Sequence, residues 1–203
     1  MNWQHKEKNA WGKWINTHQW DVFGTLCFSS YRHIGNADRD DVCGKVWRSY
    51  FNSLDRAIYG KQKSIQSRFN RVVFVQYGTN NDNPHVHFLA KSPIAKDEFC
   101  IHLNAIWASM FEVSAQPATN EITPIIRQSG TTGYGLHEFY RQDSNTIDLR
   151  LSNQIEHAQH VYVRDDAALR LKQMATEKNN LAAKTAFPRH IQAVEARIGK
   201  RQR

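Results

Sequence analysis

Apolar residues recur every four positions from Val42 through Val46, Tyr50 and Leu54 to Ile58, with Trp47 and Phe51 beside them. Behind the Asp-rich start of residues 38–59, that period predicts a helix with one buried face. Trp11, Trp14, Ile15 and Trp20 predict a short opening helix, and Phe99, Leu103, Ile106, Trp107 and Met110 predict another. Residues 21–30, "DVFGTLCFSS", read as a strand. Two more β-like runs, 71–77 and 84–91, flank a polar, Asn-rich turn and predict a hairpin. "NEITPIIRQ" (120–128) adds a strand, "SGTTG" reads as a break, and "YGLHEFYRQ" (134–142) as a short helix. A polar stretch to about residue 163 and a helical, basic region interrupted at Pro188 complete the chain. The order α-β-α-β-β-α-β-α, with a hairpin at its centre, predicts an α+β fold: a central antiparallel-rich sheet with helices packed against it.

Composition narrows the class. The 203 residues are enough for one domain with a core, 40% being hydrophobic and 23% charged. No apolar run approaches the roughly 20 residues that span a bilayer. The start lacks the apolar stretch of a signal peptide, so no membrane partner and a cytoplasmic location are expected. Cys27, Cys43 and Cys100 are widely spaced with no CxxC, which favours reduced thiols over disulfides or a zinc knuckle. The net charge is +8, and residues 164–203 carry ten Lys/Arg against four Asp/Glu. The expected organisation is a domain over 1–163 and a basic helical extension over 164–203 that reads as a nucleic-acid or acidic-surface contact.

The candidate chemistry begins in the second run of the hairpin. Residues two apart on a strand share a face, so His85 and His87 project together while Val86 and Phe88 project into the core. Two imidazoles on a rigid element suit a divalent cation. Gln76, on the paired strand, faces the same cleft. The other histidines (His5, His18, His33, His102, His157, His160 and His190) have no comparable partners and read as surface or structural residues. Tyr31, Arg32 and His33 follow the first strand in a loop suited to stacking an unpaired base.

Three stretches together resemble the HUH endonuclease superfamily, whose members combine a His–hydrophobe–His metal pair with tyrosine nucleophiles. "WDVFGTLCFSS" resembles the first strand motif, with Cys27 in place of the usual second Thr. "NPHVHFLA" resembles the metal motif, including the proline before the first histidine. "GYGLHEF" resembles the nucleophile motif, with His137 where Lys is common. The resemblance covers about residues 20–142, in the family's order.

The resemblance implies a Rep-like fold with a ferredoxin/RRM-like core. It also implies a Mg²⁺ or Mn²⁺ ion, and a tyrosine that takes the 5′-phosphate of a cut DNA strand while leaving a free 3′-OH. His85 and His87 would be metal ligands, and imidazoles shift the preference toward Mn²⁺. The third ligand is left open between Gln76 and Glu138. Tyr134 is the expected nucleophile because, on a continuous helix, it shares a face with Glu138 at an offset of about 40° while Tyr140 points elsewhere. His137, one turn on, would bind phosphate or take the phenolic proton. The implied substrate is single-stranded or hairpin DNA, nicked to initiate rolling-circle replication of a small plasmid or phage. A transposase of a single-strand mobile element would share this core, and a non-catalytic basic single-strand binder is the reading from another class. With no GxxxxGK[ST] loop, unwinding falls to a host helicase and extension of the 3′-OH to a host polymerase. Oligomeric state leaves no sequence signal.

Overall fold

The computed structural model describes residues 2–27, 39–61, 67–80, 83–110, 120–153 and 163–177. These form α1 (Trp3–Asn16), β1 (Val22–Cys27), α2 (Arg39–Tyr59), β2 (Arg71–Gln76), β3 (His85–Ala90) and α3 (Lys96–Met110). They continue with β4 (Glu121–Pro124), α4 (Gln128–Gly135), α5 (Phe139–Gln142), a 3-10 turn (Asp143–Thr146) and α6 (Ala167–Glu177). The strands make one sheet in the order β2-β3-β1-β4, with each neighbouring pair antiparallel. The run β1-α2-β2-β3-α3-β4 in that order is the ferredoxin-like βαββαβ arrangement. The fold is therefore α+β with helices packed on an antiparallel sheet, as the hydrophobic pattern predicts. No helix among the described residues is long and apolar enough to cross a membrane.

Alternation along the strands divides the side chains between two layers. On one face Val22, Leu26, Val73, Val75, Val86, Phe88 and Ile122 pack with the apolar sides of α2, α3 and α6. Gly24 makes room there, since a Cβ at that position would lie 2.2 Å from the Phe88 ring. On the other face Val72, Phe74 and Leu89 pack with Ile15, Trp20, Leu136, Phe139 and Ile147. His85, His87 and Gln76 belong by alternation to this second face.

Three elements differ from the sequence reading. Val42 on α2 is exposed, and the buried residues are Cys43, Trp47, Tyr50, Phe51, Leu54 and Ile58. A strict four-residue repeat drifts by about 40° per step on a helix, so its first residue lies off the face that the later ones bury. Leu171 and Ala175 of α6, within the expected 164–203 extension, belong to the main cluster. The "SGTTG" break is helical, as α4, and the helix expected over 134–142 is divided between the end of α4 and α5. Tertiary contacts override the low helix propensity of glycine here. Gln128 bonds the backbone of both His18 and Trp20, and Thr132 Oγ1 donates to Asn16 Oδ1 at 2.8 Å. The loop at Tyr31, Arg32 and His33 and the tail beyond Glu177 lie outside the described residues.

Both edges of the sheet are covered, which blocks further strand pairing. On β4, the Asn104 amide donates to the Ile122 carbonyl at 2.8 Å and accepts from its N–H at 3.1 Å, as a strand would. On β2, bridges join Arg71 to Asn153 and Phe74 to Ile147. Arg71 also forms a buried fork with Asp55, both N–O distances being 2.9 Å, and its Nε donates to the Leu151 carbonyl at 2.7 Å. Its guanidinium lies 4.7 Å from the Phe51 ring centroid and 4.4 Å from that of Phe69. Arg71→Met would leave the Asp55 carboxylate buried without its cation, at an expected cost of about 3–5 kcal/mol in urea unfolding. Adding Asp55→Leu should recover most of that loss. An equal loss in the single and double variants would mean that the pair does not determine the stability of this edge.

Candidate active site

The hairpin register builds the site. Gln76 on β2 is opposite His85 on β3, which is opposite Cys27 on β1; one step along, Phe74, His87 and Thr25 make the next row. Because β3 is interior, with a paired strand on each side, the two histidines stand on backbone held from both edges. Their Cα atoms are separated by a two-residue strand step of roughly 6.6–6.8 Å, yet the ring centroids are 4.9 Å apart, so the rings lean together. Two imidazoles bound to one ion through Nε2 at about 2.1 Å, at roughly right to tetrahedral angles, would have centroids roughly 4.6–5.3 Å apart.

Hydrogen bonds fix which atoms remain available. His85 Nδ1 is 2.7 Å from the Asn83 carbonyl, which can only accept, so Nδ1 carries the proton and Nε2 the lone pair. His87 Nδ1 is 2.9 Å from Thr25 Oγ1, while its buried Nε2 has no hydrogen-bond partner among the described residues. Gln76 Nε2 donates to the Gly135 carbonyl at 2.8 Å, leaving the buried Oε1 likewise without a partner. Each such orphaned group ordinarily costs about 1–3 kcal/mol. An outer group that fixes each ligand's orientation and a bare inner atom are what metal-binding side chains require. No group of three or more His, Cys, Asp or Glu side chains suited to a metal occurs among the described residues. The donor set here is two imidazoles and an amide.

The tyrosine segment lies against this row. Tyr134, near the end of α4, is 54% exposed, whereas His85 and His87 are buried. Its ring is 4.8 Å from that of His87 and stacks on His137 at 5.0 Å. Gly135 permits this approach, because a Cβ there would come within 2.8 Å of the Phe74 ring. The shared helix face expected for Tyr134 and Glu138 does not exist, since the chain turns between α4 and α5. Glu138 is instead buried, its two oxygens each accepting at 3.0 Å from the backbone N–H groups of Tyr77 and Gly78 just beyond β2. His137 Nδ1 donates to the Tyr134 carbonyl at 2.6 Å, and its Nε2 is 3.6 Å from Glu138 Oε1. Tyr140 is placed elsewhere, bonded through its hydroxyl to His5 Nδ1 at 2.8 Å, with Lys8 Nζ 4.4 Å from its ring centroid.

The structure thus brings Gln76, His85, His87, Tyr134, His137 and Glu138 together. Thr25, the Asn83 carbonyl and the Gly135 carbonyl escaped the sequence reading. The spacing between β1 and β3 carries no sign that Thr25 pairs with His87. Backbone acceptors have no residue signature at all. Among the remaining histidines, His18 bonds to Thr17 and the Trp14 carbonyl, and His102 approaches Glu98 at 3.4 Å. His33, His157, His160 and His190 lie outside the described residues. Cys27, beside His85, is a buried free thiol whose pKa burial pushes up to about 11. Comparisons with family profiles, curated proteins and solved structures find no match to this chain.

Burial holds His87 well below the usual histidine range, reinforced by His85 and His137. Burial also lowers His85, against the opposing pull of the Asn83 carbonyl and Glu138, and lowers His102 on α3. Both candidate ligands are therefore neutral, as metal binding needs. The unfolded histidines titrate near pH 6.5 and the folded ones lower, so between those values the unfolded chain binds more protons. Stability of the metal-free protein should be full above about pH 6.5 and fall as pH drops through that window. Urea midpoints with EDTA across pH 7.5 to 5 test this, and His87→Gln should flatten the slope. A midpoint that rises on acidification would contradict the buried neutral pair.

Proposed function

We propose that this chain is a metal-dependent, single-tyrosine endonuclease of the HUH type. It nicks single-stranded or hairpin DNA, keeps the 5′ end on Tyr134 and so initiates rolling-circle replication of a small plasmid or phage. One observation carries the reading: Gln76 Oε1 and His87 Nε2, both without a hydrogen-bond partner among the described residues, share one patch of the sheet with His85, beside an exposed tyrosine.

Gln76 Oε1 and the Nε2 atoms of His85 and His87 would hold Mg²⁺ or Mn²⁺, and the imidazoles favour manganese. Such an ion would withdraw charge from the scissile phosphate and stabilise its transition state. Glu138 serves as an anchor in this account, because both of its oxygens already receive backbone N–H groups.

Tyr134 supplies the nucleophile. Its phenolic oxygen bonds to phosphorus, the bond from phosphorus to the 3′ oxygen breaks, and that oxygen takes up one proton as the phenol gives one up. The product is a 5′-phosphotyrosine and a free 3′-OH, with no phosphodiester energy lost to water. A phenol leaves more readily than an alcohol, so the 3′-OH can attack in return and reseal the strand. His137 is a positioning residue in this account: its ring stacks on the phenol while its Nδ1–H is engaged by the Tyr134 carbonyl.

The test is a single-stranded oligonucleotide from the DNA flanking the gene, incubated with the protein and manganese. A covalent adduct should survive boiling on a denaturing gel and be absent when EDTA is present from the start. Tyr134→Phe should abolish it and Tyr140→Phe should retain it. If only a native, salt-sensitive shift appears, the chain is a binding module and the nuclease reading is wrong.

A further inference from the structure

A groove of about 630 Å³ runs between α1 and α4 on the same side of the sheet as the histidine row. Its walls are Lys8, Asn9, Gly12, Lys13, Asn16 and Thr17 from α1 and the turn after it, and Thr132, Gly133 and Leu136 from the tyrosine segment. The volume is in the ordinary range of ligand sites, roughly 300–1,000 Å³. Two features give it a chemical preference. The lining holds two ammonium groups, two amides and two hydroxyls, and no carboxylate. Part of the donor capacity is also directed by internal bonds. Thr132 Oγ1 donates to Asn16 Oδ1 at 2.8 Å, so the acceptor of that amide is used and its N–H₂ is left for the groove. Lys8 is steered by the ring of Tyr140, which His5 in turn braces.

One wall residue of the groove, Gly133, directly precedes the candidate nucleophile Tyr134 in the chain. A Cβ at Gly133 would meet nothing within 4 Å, so the wall is open where it approaches the tyrosine. From this placement we infer that the α1–α4 groove carries the sugar–phosphate backbone of the DNA strand flanking the scissile phosphate. Lys8 and Lys13 contact phosphates there, and Asn16 supplies an uncharged donor. The inference rests on the proposed nuclease reading for the position of the scissile phosphate, but not for the binding of single-stranded DNA. A helix-borne basic wall fixes the register of a strand without reading its bases.

Salt dependence of binding separates this contact from general basicity. Affinity for a short single-stranded oligonucleotide would be measured from low to moderate salt for three proteins. They are the wild type, Lys8→Gln/Lys13→Gln, and a control, Lys96→Gln/Lys172→Gln. The control removes the same charge from exposed lysines on α3 and α6, behind the opposite face of the sheet. Each lost phosphate contact lowers the log–log salt slope by about 0.7, so the groove variant should lose about 1.4 and the control little. Asn9→Glu, which adds a carboxylate to the groove, should weaken binding more than tenfold at low salt while leaving the melting temperature near that of the wild type.

Equal slopes for the groove and control variants overturn the inference, whether or not the wild type forms a covalent adduct. A selective loss of slope without any adduct supports the groove while removing the nuclease reading. Failure of the wild type to bind the oligonucleotide overturns both.

Discussion

The hydrogen bond from Gln76 Nε2 to the Gly135 carbonyl, 2.8 Å long and buried, couples the two halves of the site. Gln76 ends β2 directly opposite His85, and Gly135 follows the candidate nucleophile. One amide therefore orients its own oxygen toward the histidine patch and draws the tyrosine segment onto the sheet. Glu138 repeats the coupling two residues beyond β2 by accepting from Tyr77 and Gly78, and Arg141 adds a bond to the Gly78 carbonyl at 3.3 Å. A segment this short and glycine-rich has little helical stability of its own. These bonds and the seating of Leu136 and Phe139 in the second cluster are what hold it in place.

The division of labour between the faces follows from that coupling. One face of the sheet is filled by apolar side chains under α2, α3 and α6, where Trp107, Phe51 and Phe88 dominate. The other face mixes apolar packing with three oriented polar side chains, two of them with a buried atom that has no hydrogen-bond partner among the described residues. Unsatisfied buried atoms lower stability, and proteins keep them where the site uses them. The apolar face and the Asp55–Arg71 fork supply the rigidity that such a site requires.

Much of the scaffold was legible in the residues, because amphipathic periods of two and near four report which side of an element is buried. The hairpin placed Gln76 beside the histidines, since an antiparallel pair joined by a short turn allows few registers. What stayed hidden was either non-local or carried by the backbone. The β1–β3 pairing that gives His87 its Thr25 partner joins positions 62 residues apart. "SGTTG" looked like a break because glycine disfavours helices, and tertiary bonds to Asn16, His18 and Trp20 reverse that preference. A helix face shared by Tyr134 and Glu138 requires a continuous helix, which the turn at 136–138 interrupts. Tyr134 nevertheless meets His87, through the fold of that turn and not through helical periodicity. The α1–α4 groove had no sequence signature either, because its lysines and Gly133 are distant in the chain.

The central claim is that Gln76, His85 and His87 form one metal site already assembled in the hairpin. Manganese titration of the DNA-free protein, followed by loss of the free-ion electron paramagnetic resonance signal, tests it directly. The wild type should bind one ion. Gln76→Ala and His87→Ala should each lower the affinity by tenfold or more, on the scale of perturbed metal-site shells, while Glu138→Gln should stay close to wild type. Unchanged affinity in His87→Ala, or a loss confined to Glu138→Gln, would contradict it.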